Sequence, residues 1–169
     1  VVAEIHHVPA DFPTIQYAID ASVDGDEIVV APGTYTSTAD EVVDMRGKEI
    51  WLHSSGGAEV TIIDGEETRR GIYCGNGETS KTIIEGLTII CGFTGGNYPA
   101  ICGGGMYNYN SSSPTLTDCT FTDNSADYGG GLRNEDSSPK LTNCPFTKNI
   151  ASDDGGGMYN VNSLALKPH

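Results

Sequence analysis

Arg133, Glu135 and Asp136 replace Tyr107, Tyr109 and Asn110 of a matching stretch that precedes them in the chain. The change sets an arginine among carboxylates, with Tyr107 and Tyr159 at the equivalent place in the copies on either side. Such a group has two chemical uses. With Ca²⁺ held by nearby carboxylates, Arg133 could serve proton abstraction from an acidic sugar. Alternatively Tyr107, Arg133 and Tyr159, flanked by Glu135 and Asp136, form a strip on which sugar rings could stack. The plain structural alternative is an ion-paired arginine packed on tyrosine.

Other candidates are thinner. Asp153 and Asp154 are the only adjacent aspartates, and a glycoside hydrolase needs two carboxylates at a set separation; a solvated turn before Gly155 competes with that reading. Asp123, Asp127 and Asp136 could line a Ca²⁺ site, although their spacing matches no EF-hand loop. The histidines (His6, His7, His53 and His169) are scattered, with no serine or carboxylate that the sequence sets beside them, so no triad is indicated. The five cysteines match no zinc spacing and read as small core residues carrying free thiols.

The elements that position these residues follow from an internal repeat. Gly-Gly-Gly recurs at 103, 129 and 155, a period of 26 residues, and Asn, Pro, Leu, Cys and Phe follow in order. The pieces between turn formers are too short for helices. Leu116 and Leu141 sit in TLT and KLT, Phe121 and Phe146 in TFT and PFT, with threonine on the other face. A bend at Asp118 and Asn143 brings Leu116 and Cys119 to the same side, because Asp and Asn tolerate left-handed backbone.

Such units are rungs of a β-solenoid. Stacking predicts columns of Asn108, Asn134 and Asn160, of Asn124 and Asn149, of Phe121 and Phe146, and of Cys119 and Cys144. Cys91, two residues before Phe93, is expected to extend the cysteine column. Upstream, 27–35, 48–54, 58–65, 70–75 and 81–93 read as looser strands. Residues 13–23 read as a helix, opened by Pro13 and with Ile15, Ala18, Ile19 and Val23 on one face, that plugs the first rung. The chain is thus one domain: a cap over 1–26, irregular coils over 27–102, repeat coils over 103–128 and 129–154, and a partial coil over 155–163. The fold class is all-β, a right-handed parallel β-helix with an N-terminal capping α-helix.

Composition narrows the partners. The chain carries 23 acidic against 9 basic residues, a net charge of −14. That surface repels phosphate backbones, which excludes nucleic acid, and it meets acidic polysaccharide only through a cation. No stretch approaches the roughly 20 apolar residues of a membrane helix. The chain opens at Val1 as a mature or trimmed protein would, and a secreted or cell-surface location is expected.

The opening VPADFPTIQYAIDASVDGDEIVVAPGTYTS resembles the N-terminal cap and first coil of the pectin-lyase-like right-handed β-helix superfamily. Residues 48–92 look like the next coils of bacterial secreted members. The GGG…SSPTLTDCTFTDNSA units are similar to their repeats and, more distantly, to those of chlamydial polymorphic outer-membrane proteins, the FxxN match being Phe121–Asn124 and Phe146–Asn149. The resemblance implies the fold over nearly the whole chain. For function it spans lyases, hydrolases, adhesins and inactive domains; the Gly-His-Gly and Arg-x-Lys elements of polygalacturonases are absent. After GGGMYNVNS the expected SPxLTNCTF does not appear, so a truncated parent or a second copy closing that end is expected, the latter as an end-to-end homodimer. The leading expectation is a non-catalytic, self-associating module that binds glycan, without a cofactor. The alternative is a lyase or hydrolase of acidic polysaccharide using Arg133 and Ca²⁺. A third is ice or mineral binding by the Thr117/Thr142 and Thr122/Thr147 columns, which Pro145 interrupts.

Overall fold

The computed structural model describes residues 2–95 and 101–163. Its strands wind as a parallel solenoid of six rungs around one apolar core. The first rung holds β1 (Ile5–Val8) and a single helix, α1 (Ile15–Ala21). The second holds β2 (Glu27–Val30), β3 (Gly33–Tyr35) and β4 (Glu41–Asp44), and the third β5 (Trp51–Ser54), β6 (Thr61–Asp64) and β7 (Arg70–Cys74). The fourth holds β8 (Ile83–Glu85), β9 (Thr88–Ile90) and β10 (Met106–Asn108). The fifth has four strands: β11 (Thr115–Thr117), β12 (Thr120–Thr122), β13 (Ser125–Tyr128) and β14 (Leu132–Glu135). The sixth repeats them as β15 (Lys140–Thr142), β16 (Phe146–Thr147), β17 (Ile150–Asp154) and β18 (Met158–Val161).

Three parallel sheets line the solenoid, in the orders β1-β2-β5-β8-β11-β15, β3-β6-β9-β12-β16 and β4-β7-β10-β14-β18, with a fourth, short pair of β13 and β17. Rung register follows the sequence repeat: Leu116 lies on Leu141, Phe121 on Phe146, and Met106 on Leu132 on Met158. The Phe121 and Phe146 rings stack with centroids 4.8 Å apart and planes 5° from parallel. The offset is 26 residues at Asn108/Asn134 but 25 at Leu116/Leu141, and a bulge between Ala126 and Tyr128 restores the missing residue.

Corners are built from left-handed residues that also stack. Gly86, Asp118 and Asn143 turn the chain out of the first sheet at φ 66°, 52° and 51°. Asn110, Asp136 and Asn162 do the same after the third sheet, at φ 56°, 50° and 51°. Glycine is obligatory in the triplets for a second reason as well: a Cβ on Gly105 would sit 2.4 Å from the Gly131 carbonyl oxygen of the next rung.

Inside the turns, asparagine amides tie rung to rung. Asn108 donates to Asn134 and Asn134 to Asn160, both at 2.8 Å. Asn124 accepts from the Gly92 N–H and donates to the Ile89 carbonyl and to Asn149, which in turn donates to the Phe121 carbonyl. Each amide thus satisfies groups a rung away that no strand pairs.

The helix closes the N-terminal end in an economical way. Thr14, not Pro13, is its N-cap, accepting from the Tyr17 N–H. Gln16 accepts from the Asp44 N–H at 2.8 Å and donates to the Asp44 carbonyl at 3.1 Å, so one side-chain amide stands in for the peptide that would have continued the edge of β4. Lys48 caps the other end, its ammonium on the carbonyls of Ile19, Asp20 and Ser22. Ile15, Ala18 and Ile19 are buried as the spacing predicts, but Val23 lies beyond the helix and is 49% exposed.

Three further expectations are corrected. The solenoid begins at β1, inside the segment assigned to the cap, because Ile5–Val8 pairs in register with Glu27–Val30. Strand β4 was not anticipated. And Cys91 does not continue the cysteine column: Ile89 takes the place below Phe121, so Leu87 lies under Cys119, while Cys91 occupies the left-handed corner beside Asp123. Residues 164–169, where the repeat was read as breaking off, lie outside the described residues.

Replacing Asn134 with alanine removes one amide bond above and one below and strands buried partners, so Asn134→Ala should cost about 2–3 kcal/mol, measured as a fall in the urea midpoint with unchanged m-value.

Candidate functional site

The strip expected from the sequence exists, on the sheet β4-β7-β10-β14-β18. The register sets Tyr73, Tyr107, Arg133 and Tyr159 one above another. It is not an open surface. Tyr107 is 1% and Arg133 7% exposed. The Arg133 guanidinium carbon lies 5.8 Å from the Tyr107 ring centroid, 5.4 Å from that of Tyr128 and 5.5 Å from that of Tyr159. Its Nη2 donates to Glu135 Oε2 at 2.7 Å, and the same carboxylate oxygen accepts from the Tyr107 hydroxyl at 2.8 Å.

A second arginine, which the sequence reading passed over, mirrors the first. Arg70 lies 5.2 Å from the Tyr107 ring centroid and 5.4 Å from that of Tyr73, so Tyr107 is held between two guanidinium groups. Arg70 donates to the carbonyls of Cys102 and Gly103 and to Glu41 at 3.0 Å. Burial pushes the Glu41 carboxyl above its ordinary value, against the pull of Arg70, and burial likewise lowers Arg70. The signal was available: aligning RRGIYCG with GGGMYNY places Arg70 on the second glycine of the triplet, where a guanidinium can reach the next rung's backbone.

An arginine committed to a carboxylate, three rings and a dry environment is poor equipment for proton abstraction. A catalytic cation must meet substrate, and moving Arg133 outward would break its Glu135 pair and three ring contacts together. The arrangement is therefore a packed cation–aromatic column. Tyr109, 37% exposed and 5.7 Å from Tyr107, is the member that faces water.

The remaining candidates are dispersed. Asp136 occupies a left-handed corner outside the strip, as does Asp123, which accepts from the Thr122 hydroxyl. Asp127 lies in β13 and accepts from Ser152. Among the described residues no group of three or more His, Cys, Asp or Glu is arranged to hold a metal ion. Asp153 and Asp154 lie in strand β17, not in a turn, and both are exposed; the Asp153 charge raises the Tyr128 hydroxyl pKa. Two histidines do have carboxylate partners, contrary to expectation. His6 lies 3.4 Å from Asp26, and His53 lies 2.8 Å from Glu27 while stacking on Trp51.

All five cysteines are free. Cys119 and Cys144 stack as expected, their thiols turned to the Thr117 and Thr142 carbonyls respectively, and the neighbouring Cys144 together with burial pushes the Cys119 thiol up.

Compared with family models, with curated proteins and with solved structures, the chain finds no match in any of the three.

If the column is structural, Arg133→Ala should cost about 3 kcal/mol through the three ring contacts it loses and the half-buried Glu135 it strands. Reverting the unit to its preceding copy with R133Y/E135Y should recover most of that loss in thermal melts.

Proposed function

We propose that this chain is a non-catalytic β-solenoid module of the pectin-lyase-like kind, secreted or displayed at a cell surface, that binds glycan and associates with a second copy of itself. One observation carries the non-catalytic part. The only arginine of the repeats, around which an active site would be organised, is buried in ion-paired contact with its neighbours. The carboxylates that would assist it are spread over separate corners and strands. A rigid stack with aromatic side chains at its surface suits holding a polymer rather than cleaving one.

The self-association part rests on the last rung. Among the described residues, strands β15, β16 and β18 are the terminal members of their sheets. Leu141, Phe146 and Met158 are only partly buried, whereas Leu116, Phe121 and Leu132 one rung below are fully buried. Their apolar upper faces and strand edges match what another copy would present at the same end. Light scattering over a concentration series should show a dimer, and Leu141→Lys with Phe146→Lys should leave a monomer; a wild-type monomer at the highest concentrations overturns this part.

Incubation with pectin, polygalacturonate, alginate and xylan, with and without Ca²⁺, should release neither reducing ends nor unsaturated sugars. Release that disappears in Arg133→Ala would replace the binding reading with a polysaccharide lyase or hydrolase.

A further inference from the structure

The strict repeats bury their distinctive side chains, so a ligand surface has to be sought where the rungs are irregular. Two cavities adjoin on the N-terminal half and share Thr38 and Arg69 in their walls. One, of about 760 Å³, lies between α1 and the segment leaving β3, with Tyr17, Thr34 and Tyr35 in its wall. The other, of about 530 Å³, is lined by Thr68, Arg70, Phe93 and Thr94. Together they form one groove that starts at the helix of the first rung and crosses to the fourth. Three rung steps of about 4.8 Å make this a length of about 14 Å, enough for an oligomer rather than a single small molecule.

Its lining has a consistent chemistry. Tyr17 at one end is 60% exposed and Phe93 at the other 42% exposed, each unusually open for an aromatic side chain. Between them the walls carry hydroxyls, among them Thr34, Thr36, Ser37 and Thr68. Thr94 supplies an independent sign of a missing partner. It is 8% exposed, lines the groove, and its buried hydroxyl finds no hydrogen-bond partner among the described residues. The oxygen is closed to the groove as it stands, so a ligand hydroxyl reaches it by a rotation of the Thr94 side chain, which exchanges an unpaired buried hydroxyl for a paired one.

Charge decides the class of ligand. Both guanidinium groups in the groove are already matched, Arg69 by Glu66 and Arg70 by Glu41, and Asp40 adds a carboxylate with no ion pair among the described residues. In a chain of net charge −14 this groove repels uronic acid polymers. Ion-paired carboxylates and guanidinium groups remain good partners for hydroxyls, and aromatic faces suit pyranose rings. An extended peptide would instead add along the free edge of β3, which runs across the groove, not along it.

We propose that this groove binds an uncharged oligosaccharide, with rings stacked at Tyr17 and Phe93 and a hydroxyl received by Thr94. The assignment rests on the glycan-binding reading above and names its site and ligand class.

The test is calorimetric titration of the whole chain with neutral hexasaccharides (cello-, xylo- and mannohexaose), with oligogalacturonate and with an unstructured threonine-rich peptide as comparisons. At least one neutral hexasaccharide should bind, and Tyr17→Ala and Phe93→Ala should each weaken it about tenfold or more. Both side chains are exposed, so melting temperatures should stay at the wild-type value. Thr94→Val, which keeps shape and removes the hydroxyl, should weaken binding as well. Binding that survives Tyr17→Ala and Phe93→Ala but falls with Tyr109→Ala overturns the groove and leaves the glycan-binding module standing. Equal or tighter binding of oligogalacturonate or of the peptide overturns the ligand class. No binding by any glycan overturns both.

Discussion

Everything in this molecule depends on in-register parallel stacking. Each rung sets a residue directly over its equivalent, about 4.8 Å away, so a side chain is selected for how it meets a near copy of itself. Asparagine meets itself well, because an amide is donor and acceptor at once, and the Asn108–Asn134–Asn160 ladder follows. Phenylalanine and the aliphatic residues also meet themselves well, whence the Phe121–Phe146 stack and the Leu116–Leu141 column. Ions do not. Where charge enters an inner column it is offset by a different neighbour: Glu41 pairs in register with Arg70, and Arg133 lies between tyrosines.

The same constraint accounts for the acidic surface. A rung has to turn sharply several times, and most of its positive-φ corners take a residue that accepts that conformation, Cys91 and Lys148 at the corner of Asp123 being exceptions. Glycine, asparagine and aspartate share that tolerance, so Asp118, Asp123 and Asp136 occupy corners for backbone reasons. Their carboxylates point to solvent as a by-product, and a sequence reader sees a cluster that resembles a cation site. The ladder also has a visible starting point. Asn108 is the first amide of its column, because the register places Cys74 in the rung before it. Its Oδ1 is buried without a hydrogen-bond partner among the described residues, the cost of beginning a column that cannot extend backwards.

Legibility in the sequence tracks this periodicity. From 103 to 163 the repeat carries its own alignment, and the strands around Leu116/Leu141 and Phe121/Phe146, the Asp118 and Asn143 bends and both asparagine columns could be read directly, whereas β13 and β17 were missed because SADY and IASDD are polar and read as turns. Upstream the loops vary in length, and local pattern has to serve instead. Strand β4 was lost because EVVD is short, with only Val42 and Val43 apolar between two carboxylates. Cys91 was misplaced by matching its two-residue offset from Phe93, when Gly86 as the bend equivalent to Asp118 fixes a different register. The arginine strip was half legible: the column was right, but burial is set by what lies over it, and that includes Arg70, which shows only when RRGIYCG is aligned with the glycine triplets downstream. The carboxylate partners of His6 and His53 were invisible because they come from a neighbouring rung 20 and 26 residues away.

A division of labour follows from where regularity fails. A perfect repeat leaves little freedom for a site, since any change has to be accommodated by the rungs above and below it. At the N-terminal end that condition relaxes. The helix replaces two strands of the first rung, and its Gln16 completes the edge of β4 while the edge of β3 stays open. The segment after β3 and the turns after β6 and β9 line the two adjoining cavities there. The groove arises from that mismatch between a helical cap and a flat stack. Its hydroxyls and exposed aromatic rings therefore lie where the sequence is less constrained by stacking than in the repeats.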